Sequence, residues 1–159
     1  MRVLVTGMSG AGKSSALAEL ARRGFAVVDT DEPGWSVWSE ADDGYVWVEE
    51  KVEELLEREI GTTLFVSGAV SNQGRFYPRF DAVVLLAAPP DVLLQRIARR
   101  TTNDFGKNAE ERSRVLADIS QVEPLLRATS THELDTTLPL DEVVDRLVAI
   151  GQSGSQPSS

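Results

Sequence analysis

Gly7-Met8-Ser9-Gly10-Ala11-Gly12-Lys13-Ser14 fits the phosphate-binding pattern G-x-x-x-x-G-K-[ST]. The chemistry on offer is the cradling of a triphosphate. Glycines let backbone N–H groups from Ser9, Gly10, Ala11 and Gly12 through Ser15 turn inward around phosphate oxygens. Lys13 supplies a point positive charge to the β- and γ-phosphates, and the Ser14 hydroxyl is placed to ligate Mg²⁺. A helix N-terminus behind the loop adds partial positive charge. The pattern implies a bound nucleoside triphosphate with Mg²⁺.

Two further groups bear on the chemistry. Asp29-Thr30-Asp31 follows the apolar run Phe25-Ala26-Val27-Val28, and ligands of open α/β sheets bind beyond the carboxyl ends of the strands. Alternate residues on an extended segment point the same way, so both carboxylates are expected to face the triphosphate. Asp29 is assigned to the Mg²⁺ shell and Asp31 to proton acceptance from an acceptor hydroxyl. The second group is Arg96-Ile97-Ala98-Arg99-Arg100, at the end of a helix and before a polar loop, Thr101 to Asn108. Phosphoryl transfer needs positive charge at the migrating group, and a closing lid delivers it. Arg100 is the leading candidate, ahead of Arg96 and Arg99.

These residues need elements to position them. Val3-Leu4-Val5 is a strand candidate and Lys13 to Arg23 a helix, with Ala16, Leu17, Leu20 and Ala21 on one face. Phe25 to Val28 is a second strand. Glu32 to Tyr45 reads as irregular, with Pro33, Gly34 and Gly44. Val46 to Ile60 reads as an amphipathic helix burying Val48, Val52, Leu55, Leu56 and Ile60. Thr63 to Val66 and Ala82 to Leu86 are the third and fourth strands, joined by a polar connection from Ser71 to Phe80. A helix from about Pro89 to Arg100, another from Ala109 to Leu126, a short strand Glu133 to Asp135 and a helix from Pro139 to Ile150 complete the order. Alternating strands and helices predict an α/β domain with a parallel sheet. The expected unit is a single domain over 1–150, with a disordered Gly/Ser/Gln/Pro-rich tail over 151–159.

Composition narrows the class. The 159 residues carry 42% apolar and 26% charged side chains, a globular balance, and a net charge of −9. That charge argues against a nucleic-acid partner. Absence of cysteine excludes disulfides and thiolate metal sites. No run approaches the ~18 apolar residues of a membrane span, and no signal peptide opens the chain, so a cytoplasmic protein without a membrane partner is expected. Nothing in the sequence sets the oligomeric state.

No Asn-Lys-x-Asp guanine signature occurs, and the third strand does not end in Asp. Both absences argue against a GTPase switch and against the larger ATPase machines. Together the residues resemble the small P-loop kinases of the nucleoside-monophosphate-kinase-like group. Gly7 to Ser14 matches their phosphate loop, Asp29-Thr30-Asp31 is similar to the element of shikimate kinases, and Leu93 to Arg100 is similar to the helix leading into the lid of adenylate-kinase-like proteins. The resemblance implies a three-layer P-loop fold, a five-stranded parallel sheet of order 2-3-1-4-5 with a lid, ATP as donor, and Mg²⁺. It also implies adenine contacts from Arg96 and the loop from Asp135 to Pro139. Ser67-Gly68-Ala69-Val70 stands where shikimate kinases carry Gly-Gly-Gly, and their Arg-Pro-Leu-Leu lid is absent. Ser67 occupies the place of an Asp in adenylate kinases. The reaction is thereby named and the acceptor left open.

The acceptor side is expected between the second and third strands, where Trp35, Trp38 and Trp47 all lie. Aromatic faces stack on sugars and bases and also anchor helices. Trp35 and Trp38 are the more exposed candidates, with Gly68 and Arg75 as further acceptor contacts. Residues 31–57 contain many carboxylates against Lys51 alone and no arginine, whereas a nucleotide acceptor needs its phosphate clamped. Arg75 and Arg79, after the third strand, could also reach the same cleft. A small neutral or cationic phosphate acceptor is favoured over a nucleoside or nucleotide. A regulatory or accessory ATPase is the reading from another class, and Asp31 separates the two because a sensor needs no base.

Overall fold

The computed structural model describes residues 1–8, 10–58, 61–99 and 109–153. Five parallel strands form the central sheet: β1 (Arg2–Thr6), β2 (Ala26–Asp29), β5 (Leu64–Ser67), β6 (Ala82–Ala87) and β7 (His132–Asp135), in the order β2-β5-β1-β6-β7. Two more, β3 (Ser36–Ser39) and β4 (Gly44–Trp47), make a separate antiparallel hairpin. With the hairpin set aside, the order is the expected 2-3-1-4-5. Helices α1 (Lys13–Arg22), α2 (Glu49–Glu57), α3 (Pro90–Arg99), α4 (Ala109–Thr129) and α5 (Leu140–Ser153) flank the sheet.

Strand side chains alternate between two cores, which explains the continuous apolar runs. Val3, Val5, Phe65, Val84 and Leu86 face a core with Leu17 and Leu20 of α1, Leu93 and Ile97 of α3, Val115 of α4 and Leu147 of α5. Leu4, Leu64, Val66 and Val83 face the other, with Val52, Leu55 and Leu56 of α2 and with Trp47, Phe76 and Phe80. Among the described residues no helix is long and apolar enough to cross a membrane.

Three expectations change. The stretch read as irregular from Glu32 to Tyr45 contains most of the hairpin. The helix expected from Val46 starts at Glu49, because Val46 and Trp47 pair with Val37 and Ser36; Ile60 lies outside the described residues. The tail boundary also moves. α5 runs to Ser153, and buried Gly151 lies so close to Thr63 and Phe65 that an added Cβ would meet them at 3.0 and 3.1 Å. The Thr63 hydroxyl also donates to the Gly151 carbonyl at 3.3 Å. The polar connection after β5 contains a 3-10 helix, Gln73–Arg79.

Candidate active site

The phosphate loop joins β1 to α1 at the carboxyl edge of the sheet. Gly7 and Gly10 are required by crowding as well as by dihedrals, and Gly12, at φ +97° in open space, by its dihedral alone. Gly7 has φ +155° and an added Cβ would sit 2.6 Å from the Leu86 carbonyl oxygen; Gly10 has φ +84° and would meet the Leu93 carbonyl at 2.8 Å. The loop is thus pressed onto β6 and α3. Gly12 caps α1 without a side-chain bond, and no acidic residue occupies the first turn, so that turn's amides and positive dipole end serve the loop. Lys13 Nζ donates to the carbonyls of Gly7 at 2.6 Å and Met8 at 3.1 Å, which sets its charge across the loop. Ser9 lies outside the described residues.

Asp29, the last residue of β2, is a hub. Its Oδ2 accepts from Ser14 Oγ at 3.0 Å, and its Oδ1 accepts from Ser67 Oγ at 3.2 Å and from the Asp31 amide at 3.0 Å. Ser67 is there because Asp29 and Ser67 are register partners at the ends of neighbouring parallel strands. A hydroxyl and a carboxylate are therefore paired at the mouth of the loop, a donor set that suits Mg²⁺, a hard cation usually bound by one or two carboxylates plus phosphates.

The Asp31 carboxylate, unlike its amide, does not join that hub as expected. β2 ends at Asp29, and the chain turns, with the Glu32 amide donating to the Asp29 carbonyl at 3.1 Å. The alternation argument therefore fails at this point, and the Asp31 side chain is exposed beside the site. Trp35 is brought close: with Ser14, Asp29 and Glu32 it lines a cavity of about 370 Å³ between α1 and β2.

Arg96 reaches across from α3. Its guanidinium donates to the Gly10 carbonyl at 3.1 Å, to Thr136 Oγ1 at 3.0 Å and to the Thr136 carbonyl at 2.6 Å. It lines a cavity of about 260 Å³ with Ala11, Gly12, Ser15, Thr136, Leu138 and Leu140. Pro139 lies between the last two and receives the first amide bonds of α5, from Glu142 and Val143. The loop is stiffened by Asp135, whose Oδ1 accepts from Thr137 Oγ1 at 2.6 Å and from the Thr137 amide at 2.9 Å. Those bonds, the hydroxyl first, hold the Asp135 carboxyl below the usual range, aided by Arg146 and Arg96. A flat cation beside an apolar slot next to the phosphate loop is suited to a stacked base. Arg100 lies outside the described residues.

Gly68 and Arg75 depart from expectation. Gly68 is buried beneath Trp47: an added Cβ would lie 2.5 Å from its ring and 2.9 Å from Thr30 Oγ1. The Trp47 indole N–H donates to that same oxygen at 2.9 Å, so this tryptophan anchors the hairpin and covers Gly68. Arg75 is exposed, and its NH1 lies 3.0 Å from Glu49 Oε2, which also accepts from Asn72 at 3.1 Å. Sequence reasoning missed Ser67, Thr136 and Glu49 as partners of Asp29, Arg96 and Arg75. All three meet their partners only through strand register or long-range packing, so no local signal announces them.

Comparison with known proteins adds the family. The family model described as an AAA domain matches residues 3–117, from β1 into α4. A provisionally named adenylate kinase of Archaeoglobus fulgidus is 30% identical over 154 residues, covering 94% of this chain and 82% of that protein. A shikimate kinase of Salinibacter ruber is 30% identical over 180 residues, covering 99% and 88%. Among solved structures, the shikimate kinase of Acinetobacter baumannii in complex with shikimate is similar in fold, with a TM-score of 0.67 at 19% identity, covering 98% of this chain and 95% of that one. The chain belongs to the P-loop family described by the AAA domain model and, among P-loop proteins, to the small-molecule kinases of the nucleoside-monophosphate-kinase-like group, which are ATP-dependent phosphotransferases.

Proposed function

We propose that the protein transfers the γ-phosphoryl group of ATP to a hydroxyl of a small metabolite that is neutral or cationic. The observation that carries this reading is the Ser14–Asp29 contact of 3.0 Å. It joins the phosphate loop to the strand end from which the acceptor-side segment departs. The amides from Gly10 to Ser15 and the Lys13 ammonium hold the β- and γ-phosphates. Ser14 and Asp29 hold Mg²⁺, which when bound neutralises charge on the transferring phosphate. Arg96 and the loop through Pro139 hold the adenine. Asp31 accepts the proton of the acceptor hydroxyl as its oxygen takes the phosphoryl group. Trp35 borders the acceptor, and Arg100 supplies charge at the migrating group. With ATP as donor the place of action is the cytoplasm, and the partner is a small molecule, not a nucleic acid.

The acceptor class follows from charge. Residues 31–57 contain no Arg and a single Lys, Lys51, whose Nζ donates to the Gly34 carbonyl, and the Arg75 guanidinium is paired with Glu49. That segment itself offers no arginine to clamp a phosphate or carboxylate on the acceptor, which disfavours nucleotides. The test is ATP turnover with a panel of polyols, amino alcohols, nucleosides and nucleoside monophosphates. Stimulation by a polyol or amino alcohol supports the reading. Stimulation by monophosphates alone makes the protein a nucleotide kinase, and turnover indifferent to every compound makes it an accessory ATPase.

A further inference from the structure

The β3–β4 hairpin carries more aromatic surface than its anchoring needs. Its register pairs Ser36 with Trp47 and Trp38 with Tyr45, so all four side chains share one face. The inner end of that face is fixed: Trp47 is 1% exposed, bonded to Thr30 and packed over Gly68, at the carboxyl ends of β2 and β5 where Asp29 and Ser67 stand. The outer end is open. Trp38 is 55% and Tyr45 60% exposed, with ring centroids 5.4 Å apart and planes at 85°. Two perpendicular aromatic faces make a corner, and a corner of this kind is two walls of a cage for an organic cation.

The charges agree. Glu40, Asp42 and Asp43 occupy the hairpin turn, while Lys51 Nζ donates to the Gly34 carbonyl at 2.8 Å and Arg75 is paired with Glu49. A neutral sugar would be held by the rings alone, whereas an ammonium is also favoured by the negative charge of the adjoining turn. We propose that the hairpin is the recognition arm for an amine-bearing acceptor, with the ammonium seated against Trp38 and Tyr45. This rests on the kinase reading above and narrows its acceptor to amino alcohols and amino sugars.

The test uses charge-matched pairs on the full chain by calorimetry without ATP: choline against 3,3-dimethylbutan-1-ol, and glucosamine against glucose. The expected result is tighter binding of the charged member of each pair, by on the order of tenfold. Trp38→Ala and Tyr45→Ala should each erase that preference while melting temperature and ATP affinity stay put. Equal binding within both pairs, or a preference untouched by both variants, overturns the inference. The two readings fail separately. Phosphoryl transfer to neutral polyols with no amine preference keeps the kinase and removes the cation site. Amine binding that depends on Trp38, with no transfer to any compound, does the reverse.

Discussion

Asp29 concentrates the chemistry because three donors converge on one carboxylate: the Ser14 hydroxyl, the Ser67 hydroxyl and the Asp31 amide. If Ser14 ligates Mg²⁺ as proposed, removing the charge of the carboxylate oriented beside it lowers metal affinity. Asp29→Asn is therefore expected to raise the Mg²⁺ concentration needed for turnover, read from Mg²⁺ titrations at fixed ATP. Asp31→Asn should leave ATP and Mg²⁺ affinity near wild type and slow transfer by about 10²-fold or more, the scale of a positioned base. Equal loss of nucleotide affinity in both variants would make the pair one metal site. Lys13→Ala should abolish turnover and weaken ATP binding with an unchanged circular dichroism spectrum, since the bond it offers phosphate is charge-assisted. Turnover surviving in a folded Lys13→Ala protein would remove Lys13 from the mechanism. Asp29, Lys13 and Ser14 were legible in the sequence because each belongs to a short motif. Ser67 was not, since its link to Asp29 spans 38 residues and exists only through parallel register.

The element that carries the site is the β1–loop–α1 unit, and its boundaries could be read because strand, turn and helix follow one another locally. The hairpin could not. Its strands are four residues each, inside a segment punctuated by Pro33, Gly34 and Gly44, and a two-stranded ribbon of that length needs an anchor, supplied by Trp47 against Thr30 and Gly68 together with the Asn72 bonds to the Trp47 backbone. That anchor predicts a cost. Gly68→Ala would drive a methyl to 2.5 Å from the Trp47 ring, so stability should fall by about 1–3 kcal/mol, the range for overpacking; an unchanged denaturation midpoint would show that the hairpin is loosely held. A second prediction concerns α1. The Arg22 hydrogen bond, opposed by burial and reinforced by Arg23, lowers the Glu19 carboxyl from 4.5 to about 2. A depressed carboxylate stabilises the fold fully above its unfolded value and loses that contribution as it protonates. The melting-temperature gap between wild type and Glu19→Gln should accordingly be constant above about pH 4.5 and close as pH falls toward 2. A gap that widens on acidification would contradict the assignment.

Across the whole molecule, the strand order brings the ends of β2, β5, β1, β6 and β7 to one edge, with the phosphate loop at the centre. Arg96 ties that loop to the turn after β7 through Gly10 and Thr136. Arg96 was read as an adenine contact from its family resemblance, whereas its bracing of the loop needed the three-dimensional path of two distant turns. The acceptor side we propose lies at the β2 end of the same edge, beside the acidic and aromatic segment that follows Asp29. Those two halves make sense together only if phosphate crosses from one to the other. The most direct measurement is the fate of label from γ-labelled ATP incubated with Mg²⁺, protein and a mixture of polyols and amino alcohols. The account predicts label in an organic phosphate ester, formed by wild type and not by Lys13→Ala; label found solely in inorganic phosphate, at a rate indifferent to the mixture, would contradict it.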